Sequence, residues 1–326
     1  MFNKSYRYAI HVRHIHLVII FVALFFLSAC AESGGDIETE NVDLAHRVND
    51  ADIKKQPQSH RSADTFYFGF DRRGSIQEDA KQYLPFLDYL TAATGLTFKL
   101  HFTPEDTQLV DELGHDVVQF AATGALGFIE AKSLFNAIPL VRGLNEQDKA
   151  AYRSFFVVRA DSHMSTMADI KGQRLAFGSK SSTQGHLIPR IILKEEGLTL
   201  SDFKRASYTG SHINCAETVI TDGADICGMQ DTLAASYEKK GQLKVIHKSE
   251  FYPSSGIVAN EQVTEDIIQK VTAALLDFKP LGQHADGLYH WEKTEMPHGF
   301  VLAEEKDYVE LAKWADFFGF IDLERY

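Results

Sequence analysis

The sequence predicts an α/β protein of two lobes, and three observations carry that expectation. Short β-prone apolar runs alternate with amphipathic stretches of about ten to fifteen residues, the signature of strands interleaved with helices. The alternation runs through once and restarts near Tyr152, where YRSFFVVRADS begins a second block. Beyond the polar N-terminal region, roughly 260 residues remain, enough for one large domain or two lobes.

The first block opens with Phe66-Tyr67-Phe68-Gly69-Phe70 as a strand. AKQYLPFLDYLTAATG follows as an amphipathic helix that closes at Gly95. LTFKLHF reads as the second strand, EDTQLVDELG as a short helix, VVQFAA as the third strand and GFIEAKSLF as a helix. In the second block Ser154 to Val158 is a strand, MADIKG a short helix and QRLAFG a strand. HLIPRIILKEEG is a helix that Pro189 interrupts early, because a proline inside a helix removes a backbone donor. RASYTG, NCAETVITDG, ADICGMQ, DTLAASYEKKG and LKVIHKS then alternate strand and helix. Ser249 to Asn260 reads as a return crossing, after which helices are expected over Val263–Phe278 and Lys306–Phe318. A chain that enters a second lobe and comes back has two crossings, hence a hinge. Ligands of open α/β sheets sit at the carboxyl ends of strands and the amino ends of helices.

The N-terminus has the form of an export signal. Lys4, Arg7 and Arg13 precede the apolar run Leu17 to Leu27, and small residues follow at Ser28-Ala29-Cys30. The run is short for a membrane span, which needs about 20 apolar residues. Leu27-Ser28-Ala29-Cys30 also matches a bacterial lipobox, which makes Cys30 the expected lipidation site and first mature residue. The expected division is therefore a signal peptide over 1–29 and a flexible tether over 30–64. The tether is polar and highly charged, so it cannot bury enough surface to offset the entropy of ordering. Lobe one is expected over 65–152 and 253–326, and lobe two over 153–252.

The whole chain carries 33 Lys and Arg against 45 Asp and Glu. Without the three basic residues of the leader the balance is 30 against 45, near −15. That excess argues against nucleic acid, whose backbone demands a basic face. It leaves room for a small anion, which local amides and hydroxyls can hold. Besides Cys30 there are two cysteines, Cys215 and Cys227, with no His or Asp frame around them for a metal. They are read as buried and unpaired, although an oxidising compartment would permit pairing. No cofactor or metal is expected.

One stretch carries the functional argument: GSKSSTQGHLIPR, Gly178 to Arg190, at a strand-to-helix junction. The first amides of a helix have no intrahelical partner and attract oxyanions. Short hydroxyls can donate to the same oxygens, and Gly185 allows close backbone approach. An N-cap by Ser182 or Thr183, worth about 1 kcal/mol, accounts for the same residues without a ligand. Gly210-Ser211-His212 repeats the arrangement at the next junction, where His212 serves equally as a cap or as a donor to a ligand.

Taken in order, YRSFFVVRADS, DIKGQRLAFGSKSSTQG and GSHINCAETVITDGADICGMQDT resemble the periplasmic phosphate/phosphite/phosphonate-binding proteins of ABC importers. The resemblance runs from about Phe66 to Phe278 and is more specific in the second block. It implies a type II periplasmic binding fold, two lobes on a hinge of two crossing segments, closing on a small ligand. It makes Ser182 and Thr183 the oxyanion-binding pair, with Gln184 in place of a serine and Gly185 as the closing glycine. It makes His212 the ligand-binding histidine and puts Asp231 near a position that can meet an amine. The first lobe departs from the pattern. Ser255 stands where relatives carry an Asp at the return crossing, Asp106 where an aromatic reaches in, and Phe128 where a tyrosine would be.

The resemblance implies a solute-binding protein that captures a small, phosphonate-like oxyanion and presents it to an ABC permease, and the lipobox at Cys30 makes it a lipid-anchored one. The anchor would hold it to a membrane in the periplasm of a Gram-negative-type bacterium. The alternative is a ligand-sensing subunit of the same fold acting on a membrane-bound histidine kinase, chemoreceptor or cyclic-dinucleotide enzyme. An enzyme is not expected: the chain has no G-x-S-x-G elbow, no H-E-x-x-H and no P-loop.

Overall fold

The computed structural model describes residues 64–71, 75–104 and 107–326, with Arg325 described by its backbone alone. Cys30, the leader, Asp106 and nearly all of the 30–64 segment lie outside the described residues. Among those described, no helix is long and apolar enough to cross a membrane.

The first block is strand β1 (Thr65–Phe70), helix α1 (Ile76–Thr94), β2 (Thr97–His101), α2 (Leu109–Gly114), β3 (Phe120–Thr123), α3 (Ala125–Phe135) and β4 (Ile138–Gly143). Helix α1 starts where the Ser75 hydroxyl accepts from the Glu78 amide. It stops at Gly95, whose φ of 70° is open to glycine at little cost. A two-stranded ribbon, β5 (Ala151–Tyr152) with β11 (Tyr252–Pro253), marks the two crossings. Between them lie β6 (Ser154–Arg159), β7 (Arg174–Phe177), α4 (Ile188–Glu195), β8 (Arg205–Tyr208), α5 (His212–Ile220), β9 (Ile226–Gln230), α6 (Asp231–Lys239) and β10 (Leu243–Lys248). The chain returns through β12 (Gly256–Ala259), α7 (Glu265–Asp277), β13 (Phe300–Leu302) and α8 (Val309–Phe317).

Two separate sheets result. One has six strands in the order β13-β4-β12-β3-β1-β2, the other five in the order β10-β6-β9-β7-β8. In the first, β1 runs parallel to β2 and β3, while the returning β12 lies antiparallel between β3 and β4. In the second, β7 runs parallel to β8 and β9. The carboxyl ends of those three strands therefore share one edge, and each is followed by a turn into a helix.

Period-two alternation gives each sheet two apolar faces. Phe66, Phe68 and Phe70 of β1 join Phe86 of α1 and Leu275 of α7 on one face, while Tyr67 points to the other. In the second sheet Phe156 and Val158 pack under Ile188 and Ile192 of α4, and Phe155 and Val157 pack under α5. Each fully buried Phe, Leu or Ile contributes about 1.5–3 kcal/mol. One core spans both sheets' helices: Leu187 and Ile191, at the start of α4, are buried with Leu126, Phe128 and Ile129 of α3 and Leu311 of α8.

Two expectations are corrected. Pro189 does not interrupt its helix. It is the second residue of α4, just after a π-turn over Thr183–Leu187, and the helix runs on past it to Glu195. Cys215 and Cys227 are fully buried as expected but are joined by a disulfide, with their Cα atoms 5.9 Å apart. Helix α5 lies flat on β9 in the same core, and that packing brings the two sulfurs into bonding range.

Candidate functional site

The loop between β7 and α4 closes on itself. The Gly178 amide donates to the Gly185 carbonyl (2.9 Å), and the Ser182 hydroxyl accepts from the Gly185 amide (2.9 Å). The first helical turn is a π-turn, Thr183–Leu187, whose earliest bonds run from Leu187 N to the Ser182 carbonyl and from Ile188 N to that of Thr183. A π-turn leaves one more leading amide outside the helix ladder than an α-turn does, and such turns recur at functional sites. The rear of the loop is pinned by His186. Its Nδ1 donates to the Lys180 carbonyl (2.7 Å), and its Nε2 accepts from the Tyr208 hydroxyl (2.9 Å). Burial holds the His186 pKa down to about 4, so the ring is neutral and keeps those roles.

His212 opens α5 directly after Ser211, whose hydroxyl accepts from the Asn214 amide. The imidazole lies against the loop's two glycines. A Cβ added to Gly185 would lie 2.9 Å from His212 Cε1, and one on Gly178 3.6 Å from Nδ1. Nδ1 accepts from the Gln230 amide (3.3 Å), which puts the proton of the neutral ring on Nε2. The disulfide ties this helix to the strand that supplies Gln230.

Gln184 and Asp231 meet at the crossing strand. The Gln184 side chain donates to the Arg153 carbonyl (2.8 Å) and to Asp231 Oδ1 (3.2 Å), and Asp231 accepts from the Arg153 amide (3.1 Å) and the Thr232 amide (2.9 Å). Burial raises the Asp231 pKa against the pull of these amides, and the Glu295 charge adds to the rise. Both side chains thus brace the second lobe against the hinge.

Thr183 reaches the other lobe. Its Oγ1 accepts from the Leu126 amide (2.8 Å), the Tyr152 hydroxyl accepts from the Ala125 amide (3.2 Å), and Asp71 accepts from the Gly124 amide (3.1 Å). The amide of the Gly124 cap and the first two amides of α3 are therefore each met by a polar side chain. Thr183 also hydrogen-bonds Tyr152, whose phenol is pushed well above its ordinary range by burial. Gly124 permits this approach: a Cβ there would lie 2.9 Å from Thr183 Oγ1 and 3.9 Å from Ser255 Oγ. The Ser255 hydroxyl donates to the Glu295 carboxylate.

The structure thus gathers Ser182, Thr183, Gln184, Gly185, His212 and Asp231 at one edge of the second sheet and brings Ser255 against Thr183 from the first. It does not bring Phe128 to these polar groups. That ring is buried against Tyr308, 4.4 Å between centroids, in the apolar core. Asp106 lies outside the described residues. Tyr152, Asp71 and Glu295 belong to the cluster but carry no prediction. Tyr152 could have been marked, since it begins the YRS strand. Glu295, in TEMPHGF, gives no local signal. Among the described residues no group of three or more His, Cys, Asp or Glu could hold a metal ion. The arrangement brings amides and hydroxyls together, with the Ser182 hydroxyl and the His186 Nδ1 each held by a backbone group.

A family model described as the periplasmic substrate-binding protein of phosphonate ABC transporters matches residues 68–308. The phosphonates-binding periplasmic protein of Escherichia coli K12 is 26% identical over 267 residues, which cover 79% of this chain and 72% of that protein. A probable ABC transporter phosphite-binding protein of Prochlorococcus marinus MIT 9301, PhnD1, is 30% identical over 152 residues, 44% of this chain and 45% of its own length. The structure of PhnD1 in complex with methylphosphonate superposes with a TM-score of 0.70 at 18% identity, covering 79% of this chain and 99% of that one. A binding-protein component of an ABC phosphonate transporter from Pseudomonas aeruginosa superposes with a TM-score of 0.67 at 20% identity, covering 80% and 89%.

Proposed function

The chain belongs to the family of periplasmic substrate-binding proteins of phosphonate ABC transporters, and on that premise we propose that it captures a small phosphonate-like oxyanion between its lobes and delivers it to an ABC permease. The observation that carries this reading is the junction where the Ser182–Gly185 turn, the His212 ring and the amino end of α3 come together. Ligand oxygens take the leading amides and hydroxyls of the turn and the Nε2–H of His212. Lobe one, residues 65–152 and 253–326, closes over lobe two, residues 153–252, and the permease reads the closed form. Closure follows from the ligand's higher affinity for the closed state. Lipidation at Cys30 would keep the protein at the membrane, and radiolabelled fatty acid incorporated by the wild type but not by Cys30→Ala tests that anchor.

Calorimetric titration of purified protein, freed of co-purified ligand by unfolding and refolding, tests the binding. The panel is phosphate, phosphite, methylphosphonate and 2-aminoethylphosphonate. Micromolar or tighter binding of at least one is expected. The double variant Thr183→Ala/His212→Ala should lose 10-fold or more, since hydrogen bonds to charged groups contribute about 1.5–3 kcal/mol each. An unchanged dissociation constant would remove these residues from the site. Silence across the panel would favour a changed ligand or the sensor reading.

A further inference from the structure

The loop ahead of α4 has a support on its outer side that comes from the far end of the chain. Helix α8 closes at Gly319, whose φ is 74°. The Phe320 amide then donates back to the Ala315 carbonyl (2.8 Å), and the Gly319 amide to the Asp316 carbonyl (2.8 Å). By that pair of bonds a left-handed glycine turns a chain back over its own helix end. The next residues are held in place: the Leu323 amide donates to the Asp316 carboxylate (3.0 Å), and the Ser133 hydroxyl of α3 to the Asp322 carbonyl (3.4 Å). The Phe320 ring is thereby laid against the π-turn ahead of α4, edge-on to His186 with 4.9 Å between centroids.

The contact is one of three in a row. Arg190 lies 4.5 Å over the Phe318 ring and Lys194 5.1 Å over that of Phe317, attractions between a cation and the electron-rich face of a ring. Of the three, the contact at His186 bears on the ligand loop. The imidazole is walled by Phe177 and Tyr208 from lobe two, at 5.0 and 4.7 Å, and by Phe320 from lobe one. Its Nδ1 bond to the Lys180 carbonyl ties the outer limb of the loop to that ring. A hydrogen bond held in such an apolar enclosure is stronger than one that water can reach. Taking away Phe320 opens one wall, lets water compete for Nδ1 and Nε2, and frees the ring to turn. The loop then loses its outer tether.

We propose that Phe320 is a positioning residue of the ligand site: from lobe one it fixes the His186 ring, and through it the Lys180–Gly185 segment, in the form that takes an oxyanion. The inference rests on the oxyanion-binding reading above and gives a role to a residue that itself touches no ligand. Three variants test it, titrated with whichever of phosphate, phosphite, methylphosphonate and 2-aminoethylphosphonate binds the wild type most tightly. Phe320→Ala should bind about 10-fold more weakly. Phe320→Tyr, which keeps the ring, should stay within about 3-fold of the wild type. Phe317→Ala, which removes the contact with Lys194 and leaves His186 enclosed, should also stay within about 3-fold. Nitrogen-15 spectra of the histidine rings add a readout that a general loss of stability would not move. In the wild type the His186 proton sits on Nδ1, and in Phe320→Ala it should be shared between the two nitrogens.

Wild-type affinity in Phe320→Ala, with the unaltered protein binding its oxyanion, would overturn the inference and leave the oxyanion reading intact. Equal losses in Phe320→Ala and Phe317→Ala, with the His186 proton on Nδ1 in both, would also overturn it, because the segment would then clamp the lobes without shaping the loop. If Phe320→Ala does not fold, Phe320→Leu takes its place. A loss of about 5-fold with a shared proton is then expected, and wild-type affinity in spite of a shared proton would break the link between ring and loop. An unaltered protein that binds none of the four ligands would sink both readings.

Discussion

The two lobes build their halves of the junction by different means. Lobe two uses consecutive residues: the turn 178–187 is closed by its own hydrogen bonds, and His212 and Asp231 stand at the heads of the helices after β8 and β9. Lobe one uses parts scattered over more than 220 positions, from Asp71 through Gly124 and Ser255 to Glu295. A half-site made within one turn survives changes elsewhere in its lobe. A half-site assembled from distant segments depends on the whole lobe holding its shape. Substitutions in lobe one should therefore register first as stability, and those in the lobe-two turn first as affinity.

Phe128→Ala gives the strongest challenge to that contrast. The fully buried ring should cost about 3–5 kcal/mol when removed, read by chemical denaturation, while the dissociation constant of the tightest ligand shifts less than about 3-fold. A large affinity loss at unchanged stability would place Phe128 at the ligand instead of in the core. In lobe two the exception is the disulfide. Cys215→Ala/Cys227→Ala should lose about 3 kcal/mol, the entropy of closing a loop of roughly this length. Affinity should fall as well, because the bond holds α5, and with it His212, on β9.

Gly185→Ala sharpens the contrast from the other side. Its methyl group would press on His212 Cε1 and Ser182 Oγ, both 2.9 Å away. Calorimetry should show a loss of about 10-fold, near 1.4 kcal/mol, with the denaturation midpoint little moved. Equal losses in both would mean that the turn is a structural element of its lobe and not a specialised binding device.

The smallest effect concerns Glu130 of α3, whose carboxyl is pushed up to about 7 by burial and then by the nearby Asp71 and Asp111. The folded state prefers its protonated form. The stability it contributes is present below about pH 4.5 and is lost as pH rises through about 7. Glu130→Gln should therefore stabilise the protein at pH 8 by on the order of 1 kcal/mol and leave it unchanged at pH 4.5. A gain of equal size at both pH values would show that charge is not the cause.

The contrast between the lobes also sets what could be read before folding. The strands β1, β6, β7 and β9 and the helices α1, α5 and α6 declare themselves through periodicity and caps. So does the crowd of hydroxyls before α4. Strands β4, β12 and β13 do not: IPLVRG has few alternating positions, and GIVA and FVL are short runs whose pairing is non-local. Pro189 was read as a breaker because its place relative to the first turn depends on where the π-turn starts. The cysteines read as unpaired because nothing local shows that α5 lies on β9, the packing that brings their Cα atoms to 5.9 Å.

By itself, the sequence determined the alternation of strands and helices, the restart near residue 153, the return crossing and the hydroxyl-rich turn before α4, with Ser211 and His212 at the head of the next helix. Each of these is set by neighbours a few residues apart, through side-chain period, capping and backbone freedom. Tertiary structure alone decided that Thr183 would meet the head of α3 and that Phe128 would turn into the core. It also brought Tyr152 and Glu295 to the junction. Those outcomes depend on sheet order and on which surfaces bury each other, and a contact between residues more than a hundred positions apart leaves no trace in the local pattern of either.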